Sequence, residues 1–286
     1  MRKALRWLGY GLAAVLILAL AFAAWVWFVS WRATSATYEA RAERLVRPTP
    51  AQLADAPRQA RILGCVSCHG QGLRGRMMFD AQPFATVWAP NLSELAPRVS
   101  DQQLAAAIRQ GIGHDGRALF VMPSAQYSRL GDGEVAALIA FIRAQPPAGE
   151  ATPESQLGPI GRFAVATGGL KPATAMIAEF RRREPFDTGP AFAAGRRLAA
   201  AGCADCHGPD LAGGQPTPDQ AAPDLAIAGA YDLAQFRTLM RSGRPPGGRD
   251  LGLMAQVARD DFSHLTDEEL AQLWAYLRAR AERLAR

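Results

Sequence analysis

The chain is poor in the side chains that hold transition metals, with four cysteines and four histidines in 286 residues. It also lacks several constellations that mark common enzymes. There is no paired-carboxylate arrangement, no Ser-His-Asp set with histidines to spare, and no glycine motif of the kind that cradles phosphates. Carboxylates such as Asp101 and Asp267-Glu268-Glu269 stand at helix starts, where they serve free N–H groups and the helix dipole. Basic clusters are equally scarce. Arg181-Arg182-Arg183 is the one run, Glu184 closes it at once, and a solvated face accounts for it better than a nucleic-acid track. Three of the six net positive charges come from Arg2, Lys3 and Arg6. At 49% hydrophobic and 20% charged residues the chain is neither a disordered tail nor a fibre, and its length allows two domains of ordinary size.

What is present begins with a membrane signal. Residues 7–31 carry no charge, and as a helix they reach about 37 Å, enough to cross a hydrocarbon core with some tilt. Trp7 lies at one end and Trp25, Trp27 and Trp31 at the other, where amphipathic rings favour the interface. Ala21-Phe22-Ala23 offers a site for signal-peptide cleavage. The apolar run WVWFVSW continues past it, however, so the sequence reads as an uncleaved anchor over 1–32. The basic N-terminus then stays cytoplasmic and the remainder faces the periplasm of a bacterium.

The rest is a unit repeated twice, with the first copy at 50–147, the second at 189–286 and a linker at 148–188. Between anchor and first copy, 36–47 reads as a short helix ended by Pro48-Thr49-Pro50; the first copy then carries CVSCHG at 65–70 and a Gly-rich polar loop. WAPNL at 88–92 follows, then a helix over 100–111 with Ser100 as N-cap, Met122-Pro123, and a helix over 132–144. In the second, a helix over 189–202 leads to CADCHG at 203–208 and a Pro/Gly-rich loop to APDL at 222–225. Helices over 231–243 and 266–281 follow, with Met254 between them. Gly111 and Gly243 end equivalent helices, Met122 and Met254 each lie 11 residues beyond, and 127–144 aligns with 262–279. The expected fold is all-α, two tandem domains behind a transmembrane helix. The linker, broken by Gly168-Gly169 and Pro172, reads as a strap against either domain rather than a second span.

Every cysteine and half the histidines fall in two C-x-x-C-H motifs: Cys65, Cys68 and His69, then Cys203, Cys206 and His207. Thiols three positions apart at a helix start reach two vinyl-derived carbons on one haem edge, and the adjacent imidazole meets the iron. The chemistry needs a thiol that adds to a vinyl group and a neutral imidazole that ligates iron. A redox dithiol or a four-thiolate zinc site are the competing readings. The first lacks its βαβ setting, and the second leaves both histidines unexplained. Two covalently bound haem c groups are therefore expected.

For the remaining axial position, Met122 competes with Met77-Met78, which lie just past His69 in a loop at the proximal edge. Met254 competes with Met240, a core residue aligned with Ile108. The shared spacing selects Met122 and Met254, whose soft sulfur favours ferrous iron. His114 reads as a loop residue, and His264, aligned with Arg129, as solvent-facing.

With CVSCHG, WAPNLS, the stretch from Ile108 to Ala144, and CADCHG, the chain resembles membrane-anchored dihaem members of the class I cytochrome c family. These include the cytochrome subunits of periplasmic alcohol and aldehyde dehydrogenases. The resemblance implies that Cys65, Cys68, Cys203 and Cys206 attach the haems, with His69 and His207 proximal and Met122 and Met254 distal. It also implies that the carbonyls of Pro90 and Pro223 hold the imidazoles. A single-electron carrier without a catalytic residue is the expected function. Its partners would be a dehydrogenase, a quinol-oxidising complex or a terminal oxidase, together with inner-membrane lipid and no nucleic acid. The alternatives are a haem enzyme with one open iron site and a haem-based sensor or assembly module.

Overall fold

The computed structural model describes residues 2–217 and 220–285. Positions 1 and 286, at the ends of the anchor and the second repeat, and 218–219, in the loop before APDL, lie outside it. Helix α1, Arg2–Ser35, is the one helix among the described residues long and apolar enough to cross a membrane. Leu8, Leu12, Ile17 and Leu18 stay outward-facing along it, and only near its C-terminal end are side chains covered, at Val26 and Ser30.

Residues 36–49 are not helical, against the expectation of a helix over 36–47. They run as an extended strap whose backbone is satisfied by distant partners. Tyr38 N donates to the Gly116 carbonyl at 2.8 Å, and Arg41 and Glu43 N–H groups donate to the side-chain oxygens of Gln110 and Gln102 at 2.9 and 2.8 Å. Those amides donate back to the same residues' carbonyls. Tertiary pairing thus overrides local helix propensity. Pro48-Thr49-Pro50 consequently starts a helix. Thr49 caps α2, Pro50–Ile62, in a capping box with Gln52, and Pro50 occupies the first turn, where its missing N–H costs nothing.

The first unit continues through α3, Cys65–His69, and a hairpin of β1, Arg76–Ala81, and β2, Ala85–Ala89. Then come α4, Leu92–Leu95, and α5, Asp101–Gln110, which Ser100 caps as expected. Next are α6, Ser124–Tyr127, and α7, Asp132–Arg143. The hairpin corrects the all-α expectation, and it places Met77 and Met78 on a strand rather than in a loop. Ala85, Val87 and Ala89 alternate inward along β2, a period-2 pattern with β-branched residues inside a stretch too short to stand out as a strand. A short β3, Gln156–Leu157, joins β2 from the linker.

The linker also forms α8, Pro159–Ala166, packed along α1, and α9, Ala173–Arg182. The latter lies on α5 and α6, with Ile177 and Phe180 entering the second unit's core. It therefore contacts both units. Gly111, the left-handed C-cap of α5 at φ 65°, has no room for a side chain, because a Cβ there would meet Ala173 of α9.

The second unit repeats the order: α10, Ala193–Gly202, and α11, Ala204–His207, precede the hairpin β4, Gly214–Thr217, with β5, Gln220–Ala222. It ends with α12, Leu233–Ser242, α13, Leu253–Asp260, and α14, Asp267–Leu284, which Thr266 caps in a capping box with Glu269. Gly243 closes α12 in the same left-handed conformation as Gly111.

The two units share one interface, built by pseudo-twofold exchange. Residues 262–264 and the alignment-equivalent end of α6 each pack on the helix that leads into the other unit's C-x-x-C-H motif, α2 and α10 respectively. Ile62 and Ala125 of the first unit belong to the second unit's apolar cluster, and Ala201 packs against the first's.

Candidate haem sites

Each C-x-x-C-H sequence forms a single helical turn, so its two cysteines, three residues apart, lie on one face. All four thiols are free and half-buried. Burial pushes Cys65 and Cys203 up to about 12 and Cys206 to about 11, so the thiols stay neutral. Among the described residues no three Cys, His, Asp or Glu side chains converge on one point.

The imidazoles are prepared alike. His69 and His207 are buried, and desolvation lowers both pKa values while the hydrogen bond each ring makes to a carbonyl acts the other way. His69 Nδ1 lies 2.9 Å from the Pro90 carbonyl, and His207 Nδ1 lies 2.8 Å from that of Pro223. A carbonyl only accepts, so in the neutral ring Nδ1 carries the proton and Nε2 keeps its lone pair for a metal.

The backbone after each histidine closes with the same hydrogen bond. Gly75 N donates to the His69 carbonyl at 2.7 Å, and Gly213 N to that of His207 at 2.8 Å. Inside each loop a leucine is held at positive φ, Leu73 at 54° and Leu211 at 66°, and both are fully buried. Such a conformation costs a side-chain-bearing residue about 1–2 kcal/mol, so the burial of these leucines has to outweigh it. In the first unit this is the start of the Gly-rich polar loop expected after CVSCHG. The strained leucines were not anticipated, although H-G-x-x-L-x-G at 69–75 and 207–213 carries the signal.

The residues after Pro90 and Pro223 were also missed. Asn91, buried, donates from Nδ2 to the Ala148 and Glu150 carbonyls at 2.8 and 3.0 Å, while its Oδ1 accepts from Ser93. The equivalent Asp224 accepts from the buried Arg280 at 2.5 Å, and Arg280 also donates to the Asp210 carbonyl at 3.3 Å. Different partners therefore hold the two carbonyl-bearing loops. The pairing of PN with PD at equivalent positions was the available clue.

Met122 packs against the apolar cluster that borders Cys65, and Met254 against the one that borders Cys203. The two settings differ: Met122 precedes Pro123 and α6 in a loop, whereas Met254 lies in the first turn of α13. Met240 is buried core. His114 is exposed in its loop. His264, expected to face solvent, is instead half-buried at the interface between units. Its carbonyl accepts from Arg58, and its imidazole pKa is lowered by burial and by Arg61, Arg241 and Arg58.

Both motifs border that interface. Asp205 N, inside the second motif, donates to Gln126 Oε1 of α6 at 2.8 Å. Asp205 also approaches the first motif, where burial, Asp261 and Asp205 all raise the Cys68 thiol.

Residues 54–142 match the family model described as cytochrome c oxidase, cbb3-type, subunit III, and residues 192–281 match that of cytochrome c. No curated protein matches the chain. The chain thus carries two cytochrome c-type domains, each containing one C-x-x-C-H motif, and such domains imply covalent haem c. The neutral paired thiols and the imidazole with a free Nε2 fit that group in both copies.

Proposed function

We propose that the protein is a membrane-anchored dihaem cytochrome c that passes single electrons on the periplasmic face of a bacterial inner membrane, with no bond made or broken in a substrate. The observation that carries this reading is the duplicated site, two C-x-x-C-H turns, each with a carbonyl-locked imidazole. Cys65, Cys68, Cys203 and Cys206 would tether the haems, and His69 and His207 would supply one axial nitrogen each. Met122 and Met254 would supply the opposing sulfur. Bound there, haem c supplies a one-electron couple between ferric and ferrous iron.

The chain's own residues keep that couple simple. Pro90 and Pro223 hold the Nδ1 protons, so each imidazole keeps one orientation whether or not charge changes nearby. Gln126 fixes the second motif against the first domain. The anchor α1 would hold both domains beside membrane-bound partners. Likeness of the first domain to an oxidase subunit favours a respiratory partner. The resemblance to cytochrome subunits of alcohol and aldehyde dehydrogenases supports a dehydrogenase as donor.

Intact-mass measurement of the purified chain should give two thioether-linked haems, and its resting spectrum should be wholly low-spin. One haem or none overturns the reading. A stoichiometric high-spin signal with rapid binding of a small ligand would replace it with the haem enzyme.

A further inference from the structure

The linker helix α8 has one side for protein and another that nothing in the chain covers. Its N-terminus is pinned to the β1–β2 turn, where Gly158 N donates to the Phe84 carbonyl at 2.8 Å and Ile160 N to that of Pro83 at 3.1 Å. A Cβ on Gly161 would strike the Phe84 carbonyl, so α8 lies flush on the hairpin. Toward the anchor, the Phe163 ring sits 6.2 Å from that of Phe22, and the Arg162 guanidinium lies 3.9 Å over the Trp27 ring. Arg162 also donates to Ser30 at 3.4 Å. Yet Ile160 remains 53% and Phe163 43% exposed.

Position along α1 says what covers them. Trp25, Trp27 and Trp31 mark the level of the interface, and Phe22 lies five residues from Trp27, about 8 Å further toward the membrane centre. Phe163 reaches that depth while Arg162 stays at the tryptophan level, the division expected of a helix lying at a lipid boundary. Charge agrees: residues 155–178 contain no carboxylate but hold Arg162 and Lys171, the latter exposed.

We infer that α8 is a second membrane-contacting element, lying in the lipid interface against the anchor with Ile160 and Phe163 among the acyl chains and Arg162 and Lys171 at anionic headgroups. This rests on the reading of α1 as a transmembrane helix. Its consequence is orientation. From the hairpin turn that pins α8, strand β2 runs five residues, about 17 Å, to Pro90, whose carbonyl holds His69. The first domain is therefore mounted on the bilayer at two points, α1 and α8, instead of swinging on one tether.

Nitroxide accessibility in nanodiscs containing phosphatidylglycerol tests this on the full-length holoprotein. Its native cysteines carry thioethers, so each of Ile160→Cys, Phe163→Cys, Leu16→Cys and Ala151→Cys adds one free thiol for labelling. The ratio of oxygen to nickel-chelate collision at 160 and 163 should match that at 16 and exceed that at 151 roughly tenfold. If 16 is lipid-exposed while 160 and 163 behave like 151, or are shielded from both reagents, α8 is not in the interface and the anchor reading stands. If 16 itself is water-exposed, both readings fall. All four positions are exposed on the protein, and retention of covalent haem by mass verifies that each variant folds.

Discussion

Asp261 occupies a place where a carboxylate is costly. It follows α13, faces Gly64 and Ser67 of the other domain, and one of its oxygens is buried without a hydrogen-bond partner. Burial pushes its pKa up to about 6 from an ordinary 3.8, Ser67 pulling it back in part and Asp260 adding to the rise. Between those values the folded chain binds more protons than the unfolded one, so this group's contribution to stability falls as pH rises through the window. Above pH ~6 the full cost is in place, and below pH ~4 it is gone. Asp261→Asn should therefore stabilise the protein at neutral pH by about 2–3 kcal/mol. Guanidinium titrations across the range should show that gain shrinking to nothing in acid. A pH-independent gain would mean that packing, not ionisation, sets the effect. The residue lies beside the first C-x-x-C-H turn, so this cost is located where the second domain packs on that turn.

At the scale of elements, local signals were legible only in part: the Thr49–Gln52 capping box spans four residues, yet Pro48-Thr49-Pro50 read as the end of a helix rather than the start of α2. Ser100 announces α5 because a capping box spans only four residues, and the C-x-x-C-H turns and the Gly111 and Gly243 caps are equally local. The strap over 36–49 was not legible because the groups that hold it extended, Gln102, Gln110 and Arg109, are more than fifty residues away. The Asn91 and Asp224 clamps were hidden for the same reason, since one uses linker carbonyls and the other Arg280 of the last helix. The strap offers a direct measurement. The Glu43 carboxylate accepts from both Arg109 and Gln110, and the ion pair it forms is largely buried. Arg109 keeps Asp132 as a second partner, so Glu43→Ala should cost about 2–3 kcal/mol, below a fully orphaned buried charge. Arg41 and Arg44 flank the site as tryptic targets, and cleavage there should accelerate roughly tenfold or more while the remaining chain stays resistant. Unchanged cleavage would show that the backbone pairings alone hold the segment.

For the whole molecule, the coupling of its two domains is concentrated at few points, and Arg58 is the most connected of them. From α2 it forms a bidentate pair with Glu269 of α14, at 2.6 and 3.0 Å, while also engaging Asp55 and the His264 carbonyl. Arg58 and Glu269 side chains are 28% and 18% exposed, so solvent screens the pair only partly. Charge-assisted fork geometry of this kind is stronger than a simple surface pair, and losing it should weaken the interface by on the order of 2 kcal/mol. Ile62 and Ala125 carry apolar contact across the same boundary, and Gln126 holds the second motif. Arg58→Ala thus loosens the interface without touching either candidate haem site. Calorimetry should then resolve two unfolding transitions where the native chain gives one. Electron equilibration between the domains after flash reduction should slow, while the spectrum of each haem stays unchanged. A single transition with unaltered equilibration would assign the coupling to the apolar contacts of Ile62 and Ala125. An altered haem spectrum would show that α2 transmits strain into the Cys65–His69 turn it precedes.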